Sequence, residues 1–288
     1  MKRTFFTSVI AFVMLTSSAC GQTTQSKNEN QSNENQTMTE DINDKWEEKS
    51  EYSEGFAKVL DSTNGKYGFI DETGAVVIPC KWVGASDFSE GLASVRGDNE
   101  LVGFIDKTGE LVIPCKWESA YDFSEGMSAV LDPAAKYGFI DKKGKLVTPC
   151  KWIEVRSFSE GLAVVGNTNA KYGFIDKTGK LAIPCKWNHA LPFTEGLAAV
   201  MGDNDYWGYI NKTGKLVIPC KWNTTYFFSD GLAKVEDANF KWGFIDKTGK
   251  LVIPCKWKVA YDFSEGIAEV EDADGTSYKI NKQGEIVE

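Results

Sequence analysis

"KLVIPCKW", residues 250–257, sets a cysteine between a proline and a lysine near the end of an apolar run. The same octet or a near copy carries Cys80, Cys115, Cys150, Cys185 and Cys220, and the interval is 35 residues each time. Extended, the octet puts Leu251, Ile253, Cys255 and Trp257 on one face and Val252, Pro254 and Lys256 on the other. That alternation predicts a β-strand whose thiol faces inward with the isoleucine and the tryptophan.

Two further blocks repeat in the same register. "EYSEGFAKV" at 51–59 returns as "DFSEGLASV", "DFSEGMSAV", "SFSEGLAVV", "PFTEGLAAV", "FFSDGLAKV" and "DFSEGIAEV". "YGFIDETG" at 67–74 returns five times and decays to "YKINKQG" at 278–284, where Lys279 is read in place of the glycine. A founding copy of the Lys-Trp pair stands at Lys45-Trp46, so residues 45–288 are read as seven units. Within a unit, "LAxV", "GFID" and "LVIP" are short, branched or aromatic runs bounded by glycine, which predicts a β-meander. Asp71, Asp106, Asp141, Asp176 and Asp246 open four-residue tips that close on glycine, which fits a type I turn ending in a left-handed residue. Asn211 and Asn281 serve the same turn without charge. A weaker extended segment after each Lys-Trp leads into the next unit.

With these motifs in hand, the array resembles the WG-repeat (KWG-repeat) family of bacterial proteins. That family's pattern runs E-G-L-A-x-V, then K-W-G-[FY]-I-D-x-x-G, then [IV]-I-P-x-x-[YW]. The literal Trp-Gly survives at Trp207-Gly208 and Trp242-Gly243, while Tyr67, Tyr137, Tyr172 and Val102 take the aromatic place elsewhere. The resemblance implies an all-β repeat domain without a common catalytic activity, used for interactions. The expected architecture is an open, twisted stack of seven units of about 35 residues, since three firm strands and one doubtful one are tight for a propeller blade. A seven-bladed β-propeller is the alternative.

The repetition itself weighs against chemistry. Zinc sites need close ligand pairs, and each unit offers one thiol beside a single histidine in the whole chain, His189. Disulfides between units would break the equivalence of the copies. Cys80, Cys115, Cys150, Cys185, Cys220 and Cys255 are therefore read as packing, together with Trp82, Trp117, Trp152, Trp187, Trp222 and Trp257. The carboxylates of "SEG" (Glu54, Glu90, Glu125, Glu160, Glu195, Asp230 and Glu265) form seven copies, whereas an active site needs a unique constellation. They are read as bonding backbone at their turns. His189 has no nucleophile signature near it and is assigned to a solvent-facing position. No catalytic residue, metal or cofactor is expected, and the chain is read as not an enzyme.

Recognition remains. The loops before "YG" or "WG" and the stretches after "KW" vary over a constant frame, as repeat scaffolds do when they build a binding face. The expected partner is an envelope or surface protein. A glycan is the second candidate, read through Trp207, Trp242, Tyr67, Tyr137 and Tyr172, the aromatics expected at the surface. Residues 1–20 read as a lipoprotein signal: Lys2 and Arg3, an apolar run from Phe5 to Leu15, small residues, then Cys20 as the lipidation site. Residues 21–44 are polar and read as a disordered tether reaching ~25–30 Å. The expected location is outside the cytoplasm of a bacterium, attached to a membrane through the N-terminal lipid alone. Removing Lys2 and Arg3 takes the formal charge from −9 to −11, and only Arg96 and Arg156 follow, so nucleic acid is not an expected partner.

Overall fold

The computed structural model describes residues 46–288. The signal segment 1–20, with Cys20, and the tether 21–44 lie outside the described residues. Among the described residues the chain is all β, in seven separate antiparallel sheets. The first sheet holds Trp46–Lys49, Phe56–Asp61, Lys66–Asp71 and Val76–Trp82 in spatial order one to four, a plain meander. Five more four-stranded sheets follow, and the seventh has three strands, Val259–Ala260, Ile267–Glu271 and Ser277–Asn281. The doubtful segment after Lys-Trp is thus a real first strand, only two residues long in units two to seven. In unit two, Gly84–Ala85 pairs Ala85 with Val95.

The fourth strand explains the octet. In unit one Tyr67 lies opposite Trp82, Phe69 opposite Ile78 and Ile70 opposite Val76, so the register slips twice. Pro79 and Cys80 are the surplus residues of the larger bulge. Proline suits that place because it has no N–H to give to the ladder. The bulged backbone presses on the third strand: a Cβ on Gly68 would lie 2.5 Å from the Ile78 carbonyl oxygen and 2.7 Å from the Cys80 nitrogen. Gly103, Gly138, Gly173, Gly208 and Gly243 stand at the same close approach. The slips also turn the start of the strand outward. Leu251, expected inside, is 42% exposed, and Leu111, Leu146, Leu181 and Leu216 share that exposure. Ile253 and Trp257 remain buried as the alternation predicts.

Successive sheets interlock through one recurring joint. Phe69, Ile78 and Trp82 of unit one pack on Phe88, Ala93, Val95 and Ile105 of unit two. The ring of Phe69 meets that of Phe88 at 4.9 Å, and Phe104–Phe123, Phe139–Phe158, Phe174–Phe193 and Phe244–Phe263 repeat the contact. Such pairs contribute about 0.5–1.5 kcal/mol beyond the area they bury. The tip glycine of each later unit lies on the inner Ile or Thr of the unit before, as Gly109 does on Ile78.

The two ends differ from the joints. At the start, Trp46 packs on Ala57, Val59 and Ile70, the place that a preceding unit's tryptophan would fill, and Tyr52 is exposed where later units bury phenylalanine. At the far end the register pairs Val270 with Tyr278 and Glu269 with Lys279. Val235 pairs with Gly243 and Lys234 with Phe244 in unit six. Tyr278 therefore holds the glycine place and Lys279 the phenylalanine place, a correction of one residue to the sequence reading. Residues 286–288 pair with Ile280 and Lys279, and among the described residues no bulge lies against Tyr278, so its ring fits where glycine is otherwise required. Lys279 pairs with Glu288 and leaves this face charged and exposed. Among the described residues, the hydrogen bonds and ion pairs between sheets join each sheet to the next along the chain. The array is a tandem stack of seven sheets whose first and last outer faces are polar.

Candidate functional site

The "SEG" turns carry the array's strongest polar joint. Ser53 and Phe56 exchange backbone hydrogen bonds at 2.8 and 3.0 Å, and Glu54 and Gly55 between them have φ of 53° and 88°. Two left-handed residues in a row make the tight hairpin turn that suits twisted strands. A glutamate in that conformation is strained. Its carboxylate does not serve its own turn, as the sequence reading had it. It crosses to the next unit, where the Gly91 N–H donates at 3.0 Å and the Lys107 ammonium lies at 3.1 Å. Glu90, Glu125, Glu160 and Glu195 repeat both contacts, and Asp230 accepts from Gly266 at 2.7 Å. Desolvation opposes ionisation of Glu54, Glu90 and Glu125, but the lysine and the amide outweigh it and hold these carboxyls below the usual range. The tip aspartates act as expected: Asp71 accepts from the Thr73 amide at 2.9 Å and from the Ala75 amide at 3.0 Å, and Asn211 does the same.

The six array cysteines are half-buried beside the WG glycines, and none forms a disulfide. The thiols of Cys115, Cys185, Cys220 and Cys255 lie 3.9–4.0 Å from the carbonyls of Val95, Val165, Val200 and Val235. Burial pushes the thiols of Cys115, Cys150, Cys185 and Cys220 up, and that of Cys255 to about 11. Raised pKa values leave little thiolate, the reactive form. Trp82, Trp117, Trp152, Trp187, Trp222 and Trp257 are buried, each with the ammonium of the preceding lysine 4.5–5.0 Å from its ring. Among the described residues no group of three His, Cys, Asp or Glu could hold a metal ion.

Tyr67, Tyr137, Tyr172, Trp207 and Trp242 are half-buried at the margins of the joints rather than free on the surface. Cross-strand, each faces the buried Lys-Trp tryptophan of its own sheet, as Tyr172 faces Trp187. Tyr67 donates to Glu48 at 3.0 Å, and Tyr172 donates to Glu154. Burial, then Glu154, push the Tyr172 hydroxyl up to about 12. His189 is not solvent-facing. Its ring lies 4.9 Å from Tyr172 and 5.4 Å from Trp207, a run of three across the joint of units four and five. Burial lowers the imidazole pKa, opposed by the Glu154 charge. Glu154 also pairs with Arg156 at 2.7 Å. Glu154, Arg156 and His189, each found at its position in a single unit, gather in a cluster here beside Tyr172 and Trp207. Sequence reasoning missed it because residues 154, 172, 189 and 207 converge only when two sheets stack.

An all-β array of interlocked meanders, with repeated turn and joint residues, defines a tandem β-repeat protein. The model of a family described as "WG containing repeat" matches six stretches, residues 67–100, 103–131, 137–169, 172–206, 207–239 and 242–274. They cover more than half of the chain, which belongs to the WG-repeat family. No curated protein matches it. Among solved structures it is similar to the computationally designed Ika8 protein, at 13% identity over 83% of this chain and 84% of that one, with a TM-score of 0.48. It is similar to BamB from Moraxella catarrhalis at 12% identity over 78% and 81%, TM-score 0.42. The WD40 β-propeller domain of Doa1 aligns at 11% identity over 80% and 90%, TM-score 0.35. At such scores neither ring closure nor the role of any of these proteins passes to this chain.

Proposed function

We propose that this chain is a non-enzymatic repeat scaffold that binds another protein at the bacterial cell envelope, held to a membrane through a lipid on Cys20. One observation carries the reading. The joints repeat nearly the same contacts, while the hairpin tips between second and third strands keep one backbone turn and change their side chains. The tips read 61–65 "DSTNG", then "GDNE", "DPAA", "NTNA", "GDND", "DANF" and "DADG". Their fourth-position residue is left-handed in every unit, counting Gly65 in the longer first tip. A constant frame presenting different residues suits selective recognition. The test is a pull-down from the native envelope with a tag in place of residues 1–20, beside a glycan array. A specific protein partner with a silent array supports the scaffold.

A second reading, a glycan site, is favoured by the Tyr172–His189–Trp207 run, whose faces could stack on sugar rings. Glycan binding lost on Tyr172→Ala and Trp207→Ala would replace the protein scaffold by this reading. For anchoring, Cys20→Ser is expected to leave the protein exported but soluble, and unchanged membrane association would contradict a lipid on Cys20.

A further inference from the structure

The tips that carry the scaffold reading are not equal. Their left-handed residue is Gly65, Glu100, Ala135, Ala170, Asp205, Phe240 or Gly275, with φ of 54–64° in the first five, 56° at Phe240 and 85° at Gly275. An L side chain is disfavoured there, and a bulky one most of all. Phe240 nevertheless occupies the place, and it is 71% exposed, the most exposed large apolar side chain among the described residues. Nothing in the fold requires a ring at that point, since glycine or alanine makes the same turn in other units.

The preceding tip adds a second ring. Tyr206, 40% exposed, stands where other units have Lys66, Lys136, Lys171 and Lys241. From this position Lys66 reaches Asp98 on the following tip at 2.6 Å, and Lys171 reaches Asp203 at 2.8 Å. A side chain at 206 is therefore within reach of the tip that carries Phe240. The surrounding charge is net negative: Asp205 precedes Tyr206, Asp237 opens the Phe240 turn and Asp274 is exposed on the next tip, against Lys241 beside Phe240, while Asp203 is paired with Lys171.

We propose that Phe240 and Tyr206 form an aromatic anchor for a protein partner that offers an apolar socket rimmed by lysine or arginine. Exposed aromatic rings are what anchors in protein interfaces are made of, and rim charge of opposite sign steers and selects the partner. The same carboxylates repel anionic lipid headgroups, which disfavours a membrane as the occupant. The inference rests on the scaffold reading and adds to it one place and one partner chemistry.

The test uses the full chain in its native host, with the photoreactive analogue p-benzoylphenylalanine in place of Phe240 or, as a control, Ala170. The expected result is a light-dependent adduct with another protein from position 240 and none from 170. Asp205→Asn with Asp274→Asn, or raised salt, should cut that adduct by about tenfold through lost charge steering. With the adduct partner purified, Phe240→Gly should abolish binding, and because glycine suits this turn the loss cannot be put down to misfolding. A protein adduct from 170 but not 240 would sink the anchor and leave the scaffold standing. An adduct with a second copy of this chain, or one indifferent to charge and salt, would also overturn the proposal. Silence from both positions together with an empty pull-down would remove the scaffold as well.

Discussion

Glu54 and Lys107 belong to different units, 53 residues apart, yet their side chains meet at 3.1 Å beside the Gly91 amide. The contact is a latch between units. It recurs at the next four joints, up to Lys247 and Glu195, and at the sixth joint the shorter Asp230 keeps the Gly266 amide contact. Unit one has Glu72 where the later tips have lysine, and Glu265 is the corresponding carboxylate of unit seven. Should two copies stack head to tail, Glu265 would meet Glu72, two like charges.

The first prediction concerns that latch. In a double-mutant cycle, Glu90→Gln and Lys142→Gln should show a coupling of about 0.2–1 kcal/mol, the range for partly exposed pairs. Urea unfolding measures it, and zero coupling would mean the latch only decorates the joint. Glu72→Lys should favour end-to-end association, read by sedimentation at rising concentration; a strictly monomeric variant would contradict the role of Glu72.

Acid should loosen these joints. The folded-state pKa values of Glu54, Glu90 and Glu125 lie below the ordinary glutamate value of 4.5, so their stabilisation is complete above about that pH and is lost as pH falls through the lowered values. Thermal melts between pH 7 and 3 should show the loss, and Glu90→Gln should make it shallower.

His189 works in a higher window. Its folded pKa lies below 6.5, so the fold favours the neutral ring, and stability should fall as pH drops from about 6.5 toward the lowered value. An NMR titration should find the imidazole protonating below 6.5. His189→Phe should remove this part of the pH dependence, and a normal titration at 6.5 would refute burial between Tyr172 and Trp207.

The bulge makes a steric prediction. Gly173→Ala would drive a Cβ to 2.5 Å from the Ile183 carbonyl and should cost at least about 1–3 kcal/mol as overpacking. Tyr278 in unit seven is the internal control, a large side chain at the matching place with no bulge against it among the described residues. For the cysteines, thiol titration should find few reactive groups in the native array and six in the denatured one. Zero in the denatured state would mean disulfides and end the packing account.

Phe240 should trade stability for recognition. Phe240→Gly relieves a left-handed side chain and is expected to stabilise the protein by about 1 kcal/mol in urea unfolding. Destabilisation instead would mean that the ring packs against the array.

Much was legible before any coordinate. The interval of 35, the Asp-to-Gly tips, the inward Ile and Trp and the all-β class follow from local periodicity and turn chemistry, which act over a few residues. The slips opposite Gly68 were not legible, because alternation assumes an even register and the surplus residues Pro79 and Cys80 break it. Lys279 was misplaced for a related reason: Tyr278 was matched to the aromatic place, whereas the pairings of Glu271 with Ser277 and Val270 with Tyr278 put Ser277 there and Tyr278 one place on.

The sequence by itself determined the repeat, its strands and the small residues its turns need, because each rests on contacts close along the chain. Tertiary structure alone decided which residues meet across a joint. The Glu54 carboxylate leaves its own turn for the next unit because that turn's two left-handed residues aim it outward and the Gly91 amide and Lys107 lie within reach. His189 passes from a presumed surface position to a place between two rings because Tyr172 and Trp207 belong to different sheets, and only stacking brings them within 5.4 Å of it.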